Sequence, residues 1–544
     1  MLVAPEPDFT KCRLVQLADG TWSGVKEHVK LGVRALLANP YFGLLDEMGA
    51  MKSAQTIIAA QFLFEQGVID QVLVVAPNSV RDVWFDEELG ELQKHLFTPS
   101  IIQLYHSRTR EWYFQPEKKP HLFWIITNYE FIRAEPRLAE LLPLVGPKTL
   151  LVLDESSAVK SYGAKQTQAC FKLRKQCGRI VILNGTPIAN NPMDMFSQGN
   201  LMHPDILDCR GITHFRARYA IMGGYVVRTA WGSHPTQIVG YQHLDDLQRR
   251  FAPYVLRRLK RDCLDLPPVL PAVTLTATLT PAEWKIYKEM RDDLVAWLSD
   301  ATVSVAAQTI TKVLRLSQIT SGFIGGLEPE ILEDLNDGRP DWLPALGNPN
   351  GGYRHPLDPA DTTREIGRAK LDVFYEWLDE QFEADHNLKL LIWCRWIPEL
   401  QRLLKELAER YPKAELGCIA GKALLGSTKN QERQTALRLL DPRTAPAGPV
   451  LVGGTYGTGA LGLNLTACHT MVKMSHDYSY WKAIQTDARI DRPGQTQPVS
   501  QFDIVAVGPQ GQKTIDHVIV KALRSKEEVA DYTTSAWIHA LTES

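Results

Sequence analysis

The sequence predicts an α/β protein made of two units, each a parallel sheet flanked by helices. Three observations point there. First, QVLVVAP (71–77), FWIITNY (123–129), TLLVLDE (149–155) and RIVILNGTP (179–187) are near-continuous apolar runs that each end in polar residues, with amphipathic segments between them. Strands buried on both faces read this way, and they belong to parallel sheets covered by helices. Second, the pattern returns in KLLIWC (389–394), GCIA (417–420) and VLVGG (450–454). Third, the stretch between is different in kind. Residues 201–322 read as more helical, as in AEWKIYKEMRDDLVAWL (282–298), and 323–367 shift to Gly, Pro, Asp and Asn. That second segment is too long for an ordinary loop and is taken as a linker or insertion. The expected boundaries are therefore an N-terminal extension over 1–24, a first α/β unit over 25–200, the helical region over 201–322, the linker over 323–367, a second α/β unit over 368–520 and a helical tail over 521–544.

The bulk composition is that of a globular protein. The chain has 544 residues, enough at roughly 100–200 residues per domain for about three domains. Lys+Arg number 60 against 62 Asp+Glu, a net charge of -2, so any nucleic-acid contact must come from a local basic stripe. The 8 cysteines are scattered, and the closest pair is Cys170 and Cys177. No structural zinc or disulfide framework is expected, and a reducing compartment fits. The N-terminal MLVAPEPDFTKC has neither a basic region nor a continuous apolar one. No run is long enough to span a bilayer, so no membrane association is expected.

Polar residues just past strand ends are site candidates, because parallel sheets collect ligands at that edge. GLLDEMGAMKS, from Gly43, ends in a lysine and a hydroxyl residue that open an apolar-rich helix. The phosphate-loop pattern G-x-x-x-x-G-K-[ST] would place glycine at 46 and 51, but this chain has Asp46 and Met51, with Gly49 between them. LVLDESS (151–157) puts Asp154 and Glu155 at a strand end. Adjacent carboxylates there suit magnesium-nucleotide hydrolysis, one holding the metal shell and the other orienting and deprotonating water. VILNGTPIANN (181–191) and the Gly-rich TYGTGALGLNL (455–465) follow further strands. QTDARIDRPGQ (485–495) carries Arg489 and Arg492, three apart and on one face if helical.

Each feature has a blander reading when isolated. Lys52-Ser53 could be an ordinary helix start, and Asp154-Glu155 a solvated strand end. The run Arg257, Arg258, Lys260 and Arg261 reads as a solvated helix face. Trp393 and Trp396 read as packing rather than base-stacking residues, and His28 and His469 as structural.

Taken in order, the motifs resemble the Swi/Snf-type ATPases of helicase superfamily two, double-stranded DNA translocases with two RecA-like lobes. The resemblance runs from about Val25 to Lys526. DEMGAMKS resembles the family's DEMGxGKT, APNSVRDVW (76–84) its motif Ia and ITNYE (126–130) its motif Ib. DESS stands where the family has DEAH-like residues, and LNGTPIANN resembles LTGTPIxN. YVLRRLKRDCLDLPP (254–268) is similar to RRxKxDVxxxLPP, a stretch specific to this family. LRLSQITSG (314–322), GLNL (462–465), QxxxRxxRxGQ (485–495) and TIDHVI (514–519) complete the series.

The resemblance implies a fold of two RecA-like lobes with a helical insertion and an interlobe linker, and ATP and magnesium as ligands. Gly49, Ala50, Met51, Lys52 and Ser53 would cradle phosphates, with Lys52 on the β- and γ-phosphates. Ser53 and Asp154 would hold magnesium, and Glu155 would position the attacking water. Arg489 and Arg492 would reach across from the second lobe, Arg492 as the better arginine-finger candidate. Gln485 would help sense the nucleotide, and Thr186 would couple hydrolysis to movement. DNA would lie across both lobes, with Ser79, Arg81, Asn128, Lys160, Thr455 and Thr458 as candidate contacts by position.

The chain also departs from the family pattern. Val29 stands where members carry an adenine-reading glutamine, Asp491 where a histidine is common, and Gly459-Ala460 where a glycine pair is usual. If position 51 needs a left-handed backbone, a side chain there costs about 1–2 kcal/mol. The Met51 side chain is expected to turn away from the phosphates, and Met51→Gly to raise nucleotide affinity.

The function expected is DNA-stimulated ATP hydrolysis that drives translocation on double-stranded DNA, with remodelling of branched DNA or displacement of bound proteins as output. The alternative is a low-turnover nucleotide-binding clamp or partner scaffold. With little sequence beyond the motor, the chain reads as a compact bacterial or phage member. It is expected to be monomeric, cytoplasmic and nucleoid-associated.

Overall fold

A computed structural model describes residues 6–14, 23–86, 90–105, 121–185, 192–209, 211–229, 232–300, 306–325, 363–459 and 465–525. The chain divides into two compact units, Met1–Asp265 and Leu266–Ser544.

The first unit is built on a seven-stranded sheet. Its strands are β1 (Tyr41–Leu44), β2 (Gln71–Ala76), β3 (Ser100–Leu104), β4 (Leu122–Asn128), β5 (Thr149–Leu153), β6 (Arg179–Leu183) and, after the antiparallel hairpin β7 (Ala220–Thr229) and β8 (Gly232–Tyr241), the short β9 (Val255–Leu256). The order is β3-β4-β2-β5-β6-β1-β9, and every neighbouring pair is parallel. The apolar runs become the central strands because both of their faces are covered: β2, β4 and β5 are buried at every residue.

The covering helices used below are α1 (Glu27–Ala38), α2 (Lys52–Glu65), α3 (Asn78–Phe85), α4 (Glu91–His95) and α5 (Tyr129–Ile132). Helix α2 is buried at every residue from Ala54 to Leu63. A helix buried on all sides belongs inside a protein, and this one opens at the C-terminal edge of β1.

The second unit holds a six-stranded sheet of β10 (Val273–Thr278), β13 (Lys389–Cys394), β14 (Glu415–Ile419), β15 (Val450–Thr455), β16 (Thr470–Lys473) and β17 (Ser500–Val507), in the order β10-β17-β16-β13-β15-β14 and again all parallel. A small pair, β11 (Phe323–Ile324) and β12 (Arg364–Glu365), stands beside it in sequence. Along β13 the side chains alternate between two cores. Leu390, Ile392 and Cys394 pack with Phe374, Leu378 and Leu400, while Leu391 and Trp393 pack with Leu439, Leu440 and Val452. Trp393 and Trp396 are buried packing residues, 0% and 1% exposed. The helical region also contains the β7–β8 hairpin, whose side chains carry no alternating signal in the sequence. Most of the 323–367 segment lies outside the described residues.

Candidate nucleotide site

Strand β1 ends at Leu44, and the loop that follows is held from both ends. Leu45 donates its amide to Leu256 O at 2.8 Å, and Glu47 donates to Arg258 O at 2.9 Å. The loop turns through Gly49 at φ 83° and then Met51 at φ 60°, ψ 37°, the residue preceding α2. The left-handed backbone that a glycine would take freely is therefore imposed on a methionine. No side chain caps the start of α2, so its first amides point at the C-terminal sheet edge as an anion-binding end. The Lys52 ammonium donates to Asp46 O at 2.8 Å and Glu47 O at 3.2 Å. Ala50 is buried, and Lys52 and Ser53 are half-buried.

Asp46, an oddity in the loop pattern, is fully buried. Its carboxylate pairs with the Arg258 guanidinium, which donates from Nε at 3.0 Å and also from Nη2. Arg258 reaches Gln55 Oε1 at 3.0 Å and the His28 carbonyl as well, and Gln55 donates to Ala50 O at 2.8 Å. The approach is close enough that a Cβ on Gly32 would meet Gln55 Oε1 at 1.7 Å. Lys260 N donates to Glu47 Oε2 at 2.7 Å. The basic run is thus not one solvated face: Arg257 and Arg261 are exposed, whereas Arg258 and Lys260 turn inward onto the loop. The reason is electrostatic, since the buried Asp46 needs a bidentate cation. Asp46, Gln55 and Arg258 are the site residues that sequence reasoning missed. The one signal was the charged Asp46 at a loop position that ordinarily takes glycine.

Asp154 and Glu155 follow β5, two strands along from β1 with β6 between. The Asp154 carboxyl is pushed up to about 6 by burial and by the neighbouring Glu155 charge, against the pull of the Trp84 hydrogen bond. Trp84 Nε1 donates to Asp154 Oδ2 at 2.7 Å, and Glu155 N donates to Oδ1 at 2.9 Å. Glu155 itself is left-handed, φ 46° and ψ 57°. Its Oε2 is buried with no hydrogen-bond partner among the described residues. After β6, a Cβ on Gly185 would meet Met48 Cγ at 2.5 Å and lie 3.6 Å from Lys52 Nζ, so that turn abuts the loop lysine. Thr186 lies outside the described residues.

Of the remaining candidates, Lys160 is exposed and Arg81 half-buried. The Ser79 side chain lies outside the described residues. Asn128 is engaged as a helix cap, accepting from Phe131 N at 2.9 Å and donating to Asn78 Oδ1 at 2.8 Å. Thr455 and Thr458 are 5% and 9% exposed and face each other at 3.5 Å, so a DNA contact by either hydroxyl is not supported. In the second unit the helix Tyr480–Asp487 ends before both arginines, which corrects the shared-face reading. Pro493 cannot continue a helix and Gly494 takes φ 105°. Arg489 is 1% exposed and Gln485 7%. Arg492 is half-buried, its Nε donating to Ala488 O at 2.9 Å. Val29 on α1 is fully buried, beside His28, whose ring burial and the Arg258 charge hold below the usual histidine range.

A parallel α/β unit with a lysine loop opening a buried helix and an acidic pair on the same sheet edge has the architecture of phosphate-loop nucleotide-binding proteins. Residues 39–322 match the SNF2-related domain, and the chain belongs to that family. It is 25% identical over 483 residues to human TATA-binding protein-associated factor 172, covering 85% of this chain and 24% of that protein. It is likewise 25% identical over 498 residues to the Arabidopsis thaliana ATP-dependent DNA helicase DDM1, covering 89% of this chain and 59% of that one. The chain thus spans only part of these relatives. Among solved structures it is similar to the Sulfolobus solfataricus SWI2/SNF2 ATPase core in complex with dsDNA, at 19% identity, TM-score 0.38, and 96% and 95% coverage.

Proposed function

We propose that this chain hydrolyses ATP in response to duplex DNA and uses the cycle to move along it, remodelling DNA structures or displacing bound proteins. The observation that carries the reading is the placement of Lys52 and the Asp154-Glu155 pair on one edge of one sheet, within the SNF2-related family. The Lys52 ammonium, now held by two loop carbonyls, exchanges them for β- and γ-phosphate oxygens. The amides opening α2 take further phosphate oxygens. Ser53 and Asp154 are the residues that would hold magnesium beside the nucleotide phosphates. Bound there, it supplies charge neutralisation of the phosphates. The repelling pair Asp154 and Glu155 fits that role, since a cation relieves their repulsion. The free Glu155 Oε2 orients water and receives its proton. Arg492 is assigned the charge developing at phosphate, and the buried Arg489 and Gln485 hold its segment in place. Arg81 and Lys160 are the remaining phosphate contacts to DNA, read without base specificity.

The test is ATP turnover with duplex, single-stranded, forked and RNA ligands across a salt series. Low basal turnover should rise with duplex and fall with salt as counterions compete. Equal rates with and without nucleic acid would sink the reading. A clamp with little turnover is the second reading, motivated by the strained Met51. It predicts that Lys52→Ala and Glu155→Gln turn over no more slowly than the wild type.

A further inference from the structure

Two helices of the first unit converge on Asp154 from different strands. Helix α3 follows β2 and carries Trp84, 1% exposed. Its indole N–H donates to the Asp154 carboxylate at 2.7 Å. Helix α5 follows β4 and carries Tyr129, whose hydroxyl donates to the Asp154 backbone carbonyl at 2.8 Å. The two helix starts are tied to each other by Asn128 Nδ2 to Asn78 Oδ1, 2.8 Å. The result is a closed circuit: Asn78, Asn128, Tyr129, Asp154, Trp84 and back along α3.

The half-buried Arg81 adjoins this circuit, one of its guanidinium nitrogens enclosed. Arg81 lies three residues before Trp84, on the same face of α3. A helix is rigid over a single turn, so a displacement of Arg81 moves the Trp84 indole with it. The indole in turn fixes how the Asp154 carboxylate is rotated: Oδ2 is held by Trp84 and Oδ1 by the Glu155 amide, at 2.9 Å. Each oxygen is left one lone-pair direction for a ligand. Asp154 is 7% exposed, so solvent is a poor replacement for a donor that is taken away.

We propose that Trp84 is a positioning residue that carries contact of α3 with nucleic acid to Asp154, with Tyr129 as the second strut. The proposal rests on the DNA-stimulated ATPase reading above. Trp84→Phe keeps the aromatic packing and deletes the donor. Tyr129→Phe deletes a single oxygen. Trp124→Phe is the control, since Trp124 is as buried, on β4 of the same unit, but its indole donates to Ser100 Oγ at 3.4 Å and not to Asp154.

The experiment measures, on the full chain, ATP turnover against duplex concentration and duplex affinity by anisotropy. Trp84→Phe should lower the maximal DNA-stimulated rate roughly 10–100-fold, the usual effect of removing a partner of a metal-holding carboxylate, with duplex affinity unchanged. Tyr129→Phe should lower it in the same direction by less, and Trp124→Phe should match the wild type. Full stimulation of both Trp84→Phe and Tyr129→Phe overturns the proposal. So does a loss of duplex affinity that accounts for the lost rate, or an equal loss in Trp124→Phe. If Trp84→Phe fails to fold, Tyr129→Phe decides alone. A wild-type chain that duplex DNA does not stimulate overturns the functional reading instead, and this inference with it.

Discussion

Met51 holds a backbone conformation that its side chain resists. The left-handed turn is present with no ligand bound, so its cost of about 1–2 kcal/mol falls on folding more than on binding. Met51→Gly should therefore raise the stability of the first unit by about 1 kcal/mol, after the extra flexibility of glycine in the unfolded chain is offset. Urea unfolding checks this, and nucleotide affinity should rise by less than the stability gain. The same conformation at Glu155 places strain on a candidate catalytic carboxylate, where strain is characteristically kept. In the second unit, burial pushes the Glu399 carboxyl up to about 7, against Lys370 and the Ser475 hydroxyl. A raised acid stabilises the fold while protonated. Its contribution is complete below the unfolded value near 4.5 and is lost as pH rises through about 7. Glu399→Gln should flatten that loss, so the variant gains on the wild type in thermal midpoint at pH 8 and not at pH 4.

At the scale of elements, the phosphate loop is braced by a segment far away in the chain. Arg258 and Asp46 are separated by 212 positions, yet they form the buried ion pair under the loop. Removing one partner leaves an uncompensated buried charge, a loss of about 3–5 kcal/mol. Arg258→Ala should lower the urea midpoint accordingly, and Asp46→Leu with Arg258→Met should recover most of the loss. If the double variant is as unstable as the single one, packing rather than charge explains the brace. This brace also marks where the sequence stopped being legible. The central strands and α2 were readable because burial on both faces writes itself into long apolar runs. Lys52, Asp154 and Glu155 were readable because they sit at the ends of those runs. Strand β9 is two residues long and shows no periodicity, and the roles of Arg258, Trp84 and Tyr129 depend on partners brought close only by folding. The arginine pair misled for a local reason: the helix ends before Arg489, and spacing by three says nothing about a turn.

For the whole molecule, the division at Asp265 predicts the smallest piece that should hold a nucleotide under the proposed function. Strand β9 and Arg258 fall inside the first unit, although they come after the region that reads as one α/β unit in the sequence. A fragment of residues 1–265 should bind ATP with the affinity of the full chain, by calorimetry, whereas a fragment of 1–200 should not bind measurably. Comparable binding by both fragments would mean that the loop holds its shape without β9. No helix among the described residues is long and apolar enough to cross a membrane.

The late arrival of β9 has a consequence for the order in which the protein becomes competent. During synthesis, the loop bearing Lys52 leaves the ribosome early, but its Asp46 stays without a counter-ion until Arg258 has followed. At about 5–20 residues per second, that wait lasts on the order of tens of seconds. For that interval the nascent chain carries an acidic group whose buried partner has not yet been made. The nucleotide pocket is completed not by the residues that name it but by one of the last stretches of its unit to be made.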